Sequence, residues 1–279
     1  MQMLDKLGDG MGKLLDCGAE VCVLALLSLF PSLALSAPVL YGVTFGNQLI
    51  TINTTTGAGT LVGNLSSNMS AYGLGATSTN QLYAYDQNAD LLRELNPATA
   101  ATVNSINLGL GDLIGEGGID FRSDNVGFLY SVSGPDSSAL YSFITAAGSG
   151  ALVGHPNAFL DGLAFSTSNV LFALGQTPDD DLFTVNQTTG ALTLIGATGV
   201  VGANFVGGLD FIGSTLYAAI NDSLYTINPT TGAATLVGPI GFAQVSGLAS
   251  LDVAAAPEPA TLALLGLGLA GLGFSRRKQ

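Results

Sequence analysis

The acidic side chains of this sequence are its clearest candidates for chemistry, because several of them stand close together. Asp179, Asp180 and Asp181 are consecutive, and Asp86 lies four residues before Asp90. Clustered carboxylates and loop carbonyls are the ligands that a hard cation prefers, so Ca²⁺ is the candidate metal and the one candidate cofactor. No segment matches an EF-hand loop, however, and a solvated acidic rim on surface loops explains the same residues. Both interpretations stay open from the sequence.

Catalytic chemistry finds little support among the other side chains. His155 is the single histidine, and both cysteines, Cys17 and Cys22, lie near the N-terminus. A Ser-His-Asp or Cys-His arrangement therefore lacks a convincing partner, and a zinc site would depend on carboxylates. Asp120 and Asp210 occupy one position of a repeated segment, where they could approach the axis of a repeat fold or cap backbone amides. We predict no enzymatic activity, with a Ca²⁺-dependent hydrolase or lyase as the alternative.

The distribution of charge excludes one class of partner. Of the seven Lys and Arg residues, five lie near the two ends, which leaves Arg93 and Arg122 in the body against fifteen acidic residues. Such a surface repels nucleic acid, whose recognition needs a basic footprint. We therefore expect no nucleic-acid partner.

A repeated unit organises the body of the chain. Each unit opens with Leu-Tyr or Leu-Phe, at Leu40, Leu82, Leu129, Leu171 and Leu216. A second alternating segment follows, then a turn such as Asn53–Gly57 or Asn228–Gly232, then a segment that ends in Leu-Val-Gly or a close variant. Alternation of apolar and polar residues, β-branched side chains and Asn/Gly turns predict antiparallel strands.

A fourth short segment precedes most of these pairs, as in Gly118–Phe121 and Gly208–Phe211. Four antiparallel strands in about 40–45 residues are typical of a β-propeller blade. The first unit lacks its own inner segment, and Gly247–Val253 supplies one at the far end of the repeats. We predict an all-β fold, a β-propeller of five four-stranded blades closed by the C-terminal strand. A flat stack or a β-solenoid is the alternative.

Propeller topology also predicts an asymmetry of charge. Loops between the second and third strands of a blade, and loops between blades, emerge on the same face. We call this side the acidic loop face, after Asp86, Asp90, Asp112, Glu116, Asp136, Asp161, Asp179, Asp180, Asp181 and Asp222. The opposite face receives the Asn-to-Gly turns, and Arg122 and Asp124 share one of its loops. We expect a ligand or partner to contact the acidic loop face.

Residues 1–36 have the character of a removable leader. Lys6 and Lys13 precede an apolar run over residues 21–35, and small residues allow cleavage after Ser36. These are the parts of a secretory signal peptide. We predict export across the inner membrane and processing by signal peptidase, with a buried N-terminal helix as the alternative.

The C-terminal segment has the features of a second targeting signal. Pro257, Glu258 and Pro259 are followed by an apolar, glycine-rich stretch and then by Arg276, Arg277 and Lys278. This order resembles the PEP-CTERM sorting signal. The resemblance implies recognition by an exosortase-type membrane protease in a Gram-negative-like envelope. The apolar stretch is short for a stable transmembrane helix, and the basic residues would hold its end on the cytoplasmic side, so we expect it to occupy the inner membrane transiently.

These features divide the chain into a signal peptide (1–36), a repeat domain (38–254) and a sorting or anchor segment (257–279), with a signal helix and a transmembrane helix flanking the propeller. Residues 117–130 resemble secreted propeller-like domains of unassigned function, and PEP-CTERM proteins accompany exopolysaccharide and biofilm genes. We expect a binding or scaffold module at the cell surface or in the extracellular matrix, with polysaccharide or an envelope protein as its partner. A carbohydrate-active or lactonase-like propeller enzyme is the alternative.

Overall fold

The computed structural model describes residues 37–66, 69–111, 117–132, 138–175, 180–200 and 206–252. The predicted signal helix and the predicted transmembrane helix lie outside these ranges. Within them, the chain forms no helix with the length and apolar character needed to cross a membrane.

The strands form five sheets of four, which we number as blades in chain order. Blade 1 contains β1 (Val39–Thr44), β2 (Gln48–Ile52), β3 (Gly59–Asn64) and, from the end of the domain, β20 (Val245–Leu251). Blade 2 contains β4 (Ala71–Ala76), β5 (Leu82–Asp86), β6 (Leu91–Leu95) and β7 (Thr102–Ile106). Blade 3 contains β8 (Ile119–Phe121), β9 (Gly127–Ser131), β10 (Ala139–Ile144) and β11 (Ser149–Gly154), with a 3₁₀ turn at Thr145–Ala147. Blade 4 contains β12 (Leu160–Phe165), β13 (Leu171–Gly175), β14 (Asp181–Val185) and β15 (Leu192–Ala197), and blade 5 contains β16 (Val206–Ile212), β17 (Thr215–Ile220), β18 (Ser223–Ile227) and β19 (Ala234–Pro239).

Ring closure follows the predicted scheme. In blade 1 the strand order from the axis outward is β20-β1-β2-β3, so the last strand of the domain pairs with the first. The pairing of β1 with β20 is antiparallel and sets Leu40 opposite Ser250. The prediction of a five-bladed, four-stranded propeller closed by its C-terminal strand is confirmed.

The second strands of the blades, with their Leu-Tyr and Leu-Phe pairs and with Phe128 beside one pair, contribute to the contacts between blades. The five leucines that open the pairs are at most 2% exposed. At three interfaces an aromatic ring of a second strand meets the phenylalanine of the next inner strand, in the pairs Tyr83–Phe121, Phe128–Phe165 and Phe172–Phe211 at 5.3–5.4 Å between centroids. Such a pair contributes about 1 kcal/mol beyond its burial. The repeat therefore encodes the interfaces between blades as well as the strands.

A ring of glycines brings the five inner strands together at the axis. A Cβ on Gly118 would lie 2.3 Å from the amide nitrogen of Leu163 in the next blade, and one on Gly247 would lie 2.3 Å from that of Leu74. The equivalent glycines of the other blades meet their neighbours in the same way, and the ring comprises Gly73, Gly118, Gly162, Gly208 and Gly247. Because only glycine allows this approach of backbones, the inner strands close tightly around the axis at this level.

Asparagines in the loops after the inner strands link neighbouring blades. Asn125 Oδ1 accepts hydrogen bonds from both the amide and the hydroxyl of Ser78, each at 2.9 Å. Asn169 accepts from the Ser123 amide at 3.1 Å, and Asn80 accepts from the Asp252 amide at 3.0 Å. The three asparagines have φ of 60–65°, a backbone conformation that asparagine tolerates better than most residues. We call these contacts the asparagine latches.

Each outer strand exposes one large aliphatic side chain. These rim residues are 47–62% exposed, and they are Leu61, Val103, Leu152, Leu194 and Leu236. The outer strands contain no charged residue. Every outer strand also has a register shift against its neighbour, and such bulges twist an edge strand away from further pairing.

Candidate functional site

A cavity of about 200 Å³ lies at one end of the propeller axis. Its walls come from the inner strands and from the loops that follow them, including Ser78, Arg122 and Asn169. These loops belong to the face of the Asn-to-Gly turns, opposite the acidic loop face. Pockets that hold drug-sized ligands usually measure about 300–1,000 Å³. This cavity therefore suits an ion, a few waters or one small polar group.

Asp120 lies at the inner edge of blade 3 and is 7% exposed. Its Oδ1 accepts a hydrogen bond from its neighbour, the Phe121 amide, at 2.7 Å, and its Oδ2 accepts one from the Phe165 amide of blade 4 at 2.5 Å. These amides belong to inner strands, whose axis-facing edges have no further strand to pair with. Asp120 thus caps backbone amides across an interface between blades. Burial, followed by the charge of Asp210, raises the pKa of the Asp120 carboxyl well above its ordinary value.

Asp210 occupies the matching position of blade 5 and is 6% exposed. The side chain of Ser250, in the next blade, and the amides of Phe211 and Ser250 donate to its carboxyl. Its Oδ2 is nevertheless buried without a hydrogen-bond partner within the described residues. Burial raises the pKa of Asp210 to about 7. The two aspartates therefore form a pair of buried carboxyls. Burial disfavours the charged form of each, and the charge of one disfavours ionisation of the other.

Arg122 brings a positive charge to the wall of the same cavity. Its guanidinium binds both carboxylate oxygens of Asp124 at 3.0 and 2.8 Å, and its Nη1 donates to Gln187 of blade 4 at 3.0 Å. The guanidinium also lies 5.9 Å from the centre of the Phe128 ring. Asp124 is largely exposed, so the ion pair contributes little to stability, and it offsets the charge that Arg122 would otherwise present to the cavity.

Two of the predicted metal ligands have structural roles. Asp86 is 2% exposed, and its Oδ2 binds Arg93 Nε and Nη2 at 3.1 and 2.9 Å. Its Oδ1 accepts from the amides of Ser70 and Asn88, each at 3.2 Å. Asp90 accepts a hydrogen bond from the Tyr85 hydroxyl at 3.3 Å. Asp86 is thus a saturated, buried carboxylate that fixes the loop between β5 and β6.

The other predicted ligands belong to blade 4. Asp181 opens β14 and is half-buried, Asp180 precedes it, and Asp179 lies outside the described residues. The described parts of the chain bring together no group of three or more His, Cys, Asp or Glu side chains that could hold a metal. A Ca²⁺ site that includes Asp179 stays a prediction.

The single histidine is held by a backbone contact. Nδ1 of His155 lies 2.8 Å from the carbonyl oxygen of Ser138, at the loop end of blade 3. No contact in the described structure joins this ring to a nucleophilic side chain.

Residues 255–278 match the PEP-CTERM protein-sorting motif. The tail therefore marks an exported protein, destined for the cell envelope or surface and processed by exosortase, a membrane protease. No curated protein matches the chain in sequence.

Solved structures share the fold at low sequence identity. A chain from the crystal structure of the nidogen–laminin complex aligns with a TM-score of 0.54 and 10% identity, over 78% of this chain and 99% of that one. A protein with a provisional gluconolactonase assignment aligns with a TM-score of 0.52 and 14% identity, over 80% of this chain and 87% of its own. At these identities the likeness is one of fold. Fold and tail together define the chain as an exported protein with a five-bladed β-propeller.

Proposed function

We propose that the protein is a non-enzymatic binding or scaffold module, displayed at the cell surface or released into the extracellular matrix, where it contacts polysaccharide or an envelope protein. The observation that carries the proposal is the closed axis. The glycine ring draws the inner strands together, and the axial cavity of about 200 Å³ is small for a sugar chain or a lactone with its catalytic groups.

The repeated features of the chain support the same proposal. The Asn-to-Gly turns, the aromatic contacts and the asparagine latches all stabilise the ring, and they leave a rigid body with two distinct faces and an uncharged rim. A rigid scaffold that presents loops is a common basis for binding. We expect the acidic loop face, which includes Asp181 and Asp222, to contact the partner.

Two experiments test this proposal. The full chain and a variant without residues 257–279 are expressed in a host that has an exosortase, and the envelope, surface and medium fractions are compared. We expect the wild-type chain at the surface or in the medium and the truncated chain to be distributed differently. An unchanged distribution would contradict the role of the tail.

Binding is then measured by co-sedimentation with the host's exopolysaccharide and by cross-linking to envelope proteins. We expect weaker capture by a variant with Asp181→Asn and Asp222→Asn, and unchanged capture by a matched rim variant with Leu194→Lys and Leu236→Lys. Cleavage of the polysaccharide by purified protein would overturn the non-enzymatic assignment. Equal capture by both variants and the wild type would exclude the acidic loop face.

A second candidate function rests on the Asp120–Asp210 pair. Two buried carboxyls with raised pKa values, in the lining of one cavity, resemble the acid and base of a carboxylate-dependent hydrolase. The test is hydrolysis of small lactones and aryl glycosides by wild type, Asp120→Asn and Asp210→Asn. Turnover by the wild type that both variants lose would favour an enzyme over a scaffold.

A further inference from the structure

The lining of the axial cavity includes an aspartate with one carboxyl oxygen that the described protein leaves unsatisfied. Asp210 lines the cavity and is 6% exposed, and its Oδ2 has no hydrogen-bond partner within the described residues. A buried polar atom in this state is costly unless a proton, a water or an ion completes it. Asp120 lines the same cavity, so a second carboxyl is available to the same ligand.

The remaining walls are rich in oxygen. They contain the hydroxyl-bearing residues Thr77, Ser78, Ser123, Ser166, Thr167 and Ser250. Arg122 is the cationic side chain among the lining residues, and its guanidinium is bound by Asp124 and Gln187. Carboxylate and hydroxyl oxygens with water suit a hard cation better than a soft metal, which prefers nitrogen and sulfur ligands.

We propose that the axial cavity binds a divalent hard cation, Ca²⁺ by preference, between Asp120 and Asp210. The ion joins blade 3 to blade 5 across the axis and lies on the face opposite the acidic loop face. No third carboxylate, Cys or His joins the pair in the described residues, so water and hydroxyl groups complete the coordination. Ca²⁺ tolerates such irregular coordination better than Mg²⁺, and affinities of about 0.1–1 mM are typical of extracellular sites.

The first test titrates the full chain with CaCl₂ and follows the binding by calorimetry. The same measurement with MgCl₂, and the Tm in EDTA, serve as comparisons. We expect one ion per chain at the axial cavity and a rise in Tm of about 5 °C at 10 mM Ca²⁺, because a ligand that binds the folded state stabilises it by mass action. Absence of Ca²⁺ binding by the wild-type chain would overturn the proposal.

Variants assign the binding to the cavity. Asp210→Asn keeps the size of the side chain and removes the charge, so we expect it to lose the Ca²⁺-dependent rise in Tm and at least 10-fold in affinity. Asp181→Asn, on the acidic loop face, is the matched control and keeps both. The reverse result would move the ion to the acidic loop face and overturn the proposal.

A measurement on the wild-type chain alone guards against a variant that fails to fold. Ca²⁺ must displace protons from the carboxyl pair, so an unbuffered titration at pH 6.5 should release protons as the ion binds. Binding without proton release would place the ion away from Asp120 and Asp210. Proton titration without any Ca²⁺ binding would show instead that the pair shares a proton.

Discussion

The carboxyl of Asp210 should make the stability of the propeller depend on pH. Its pKa is about 7 in the folded protein against an ordinary value of 3.8, so between these values the folded state holds a proton that the unfolded state has released. The stability due to that proton is present at low pH and lost as pH rises through 7. In EDTA, we expect the free energy of unfolding to fall by roughly 2–3 kcal/mol between pH 5 and pH 8, measured by urea denaturation, because about two pH units of this interval lie below the folded pKa.

Asp210→Asn is the control for this prediction, because it removes the titrating group and leaves Asp120 and Arg122 in place. At pH 8 we expect the free energy of unfolding of the variant to equal or exceed that of the wild type. At pH 5 we expect most of this difference from the wild type to disappear. A variant destabilised equally at both pH values would show that Asp210 acts through its hydrogen bonds alone.

The glycine ring leads to a second prediction at the scale of single residues. In Gly247→Ala the new Cβ would lie 2.3 Å from the Leu74 amide nitrogen and 2.5 Å from the Gly73 carbonyl carbon, so it would clash with the backbone of blade 2. Overpacking of this kind costs about 2–3 kcal/mol, which thermal or urea unfolding would reveal. Gly46→Ala is the control, since its Cβ would make an ordinary contact of 3.4 Å with Thr44 Oγ1. Equal stability of the two variants would contradict a tightly closed axis.

Single residues differ in how far the sequence could predict their roles. The recurrence of Asp120 and Asp210 is visible in the repeat, and amide capping by Asp120 agrees with one of the two interpretations offered for it. Their meeting in one cavity depends on ring closure, which places blades 3 and 5 across the axis. Asp86 is one of the metal ligands that the sequence predicts. In the structure, the hairpin of β5 and β6 sets Ala84 opposite Arg93, and Arg93, one of the two basic residues of the body, binds Asp86.

At the scale of the element, two of the asparagine latches hold serines of the preceding blade, Ser78 and Ser123, through their backbone amides, and Ser78 adds its hydroxyl. Asn125→Ala removes the acceptor of two hydrogen bonds from Ser78. We expect a loss of about 1–2 kcal/mol in the free energy of unfolding, because the Ser78 amide and hydroxyl then lose their acceptor and must form hydrogen bonds with water instead. Asn64→Ala, at the exposed end of β3, should change stability by less than about 0.5 kcal/mol. A loss in Asn125→Ala no larger than in this control would show that the latch is not a stabilising contact.

Strands were easier to predict than the contacts between them. The Leu-Tyr repeat and the Asn-to-Gly turns identify strands two to four of each blade, and Asn53 accepts hydrogen bonds from the Thr55 and Thr56 amides at 2.9 and 3.0 Å, as turn chemistry requires. The register shifts of the outer strands and the asparagine latches, by contrast, depend on how separate segments of the chain meet in the folded protein. A single sequence carries no direct signal for them.

At the scale of the whole molecule, one strand decides whether the five blades form a ring. β20 supplies the inner strand of blade 1 and packs against the inner strands of blades 2 and 5, β4 and β16. Without it, the inner edge of β1 and the facing sides of two other blades would be exposed together. Closure should therefore be worth a large part of the stability of the domain.

A truncation measures that contribution. A chain that ends at Gln244 loses Val245, Leu248 and Leu251, each at most 4% exposed, and burial of three such side chains is worth roughly 5–8 kcal/mol. The whole stability of a typical domain is about 5–15 kcal/mol, so we expect this chain to unfold without a cooperative transition in circular dichroism and to be degraded rapidly by protease. A chain that ends at Asp252 also lacks the sorting tail but keeps β20, and it should unfold cooperatively with the Tm of the full chain. Cooperative unfolding of both truncated chains at the same temperature would mean that four complete blades hold the fold and that β20 only covers their edge.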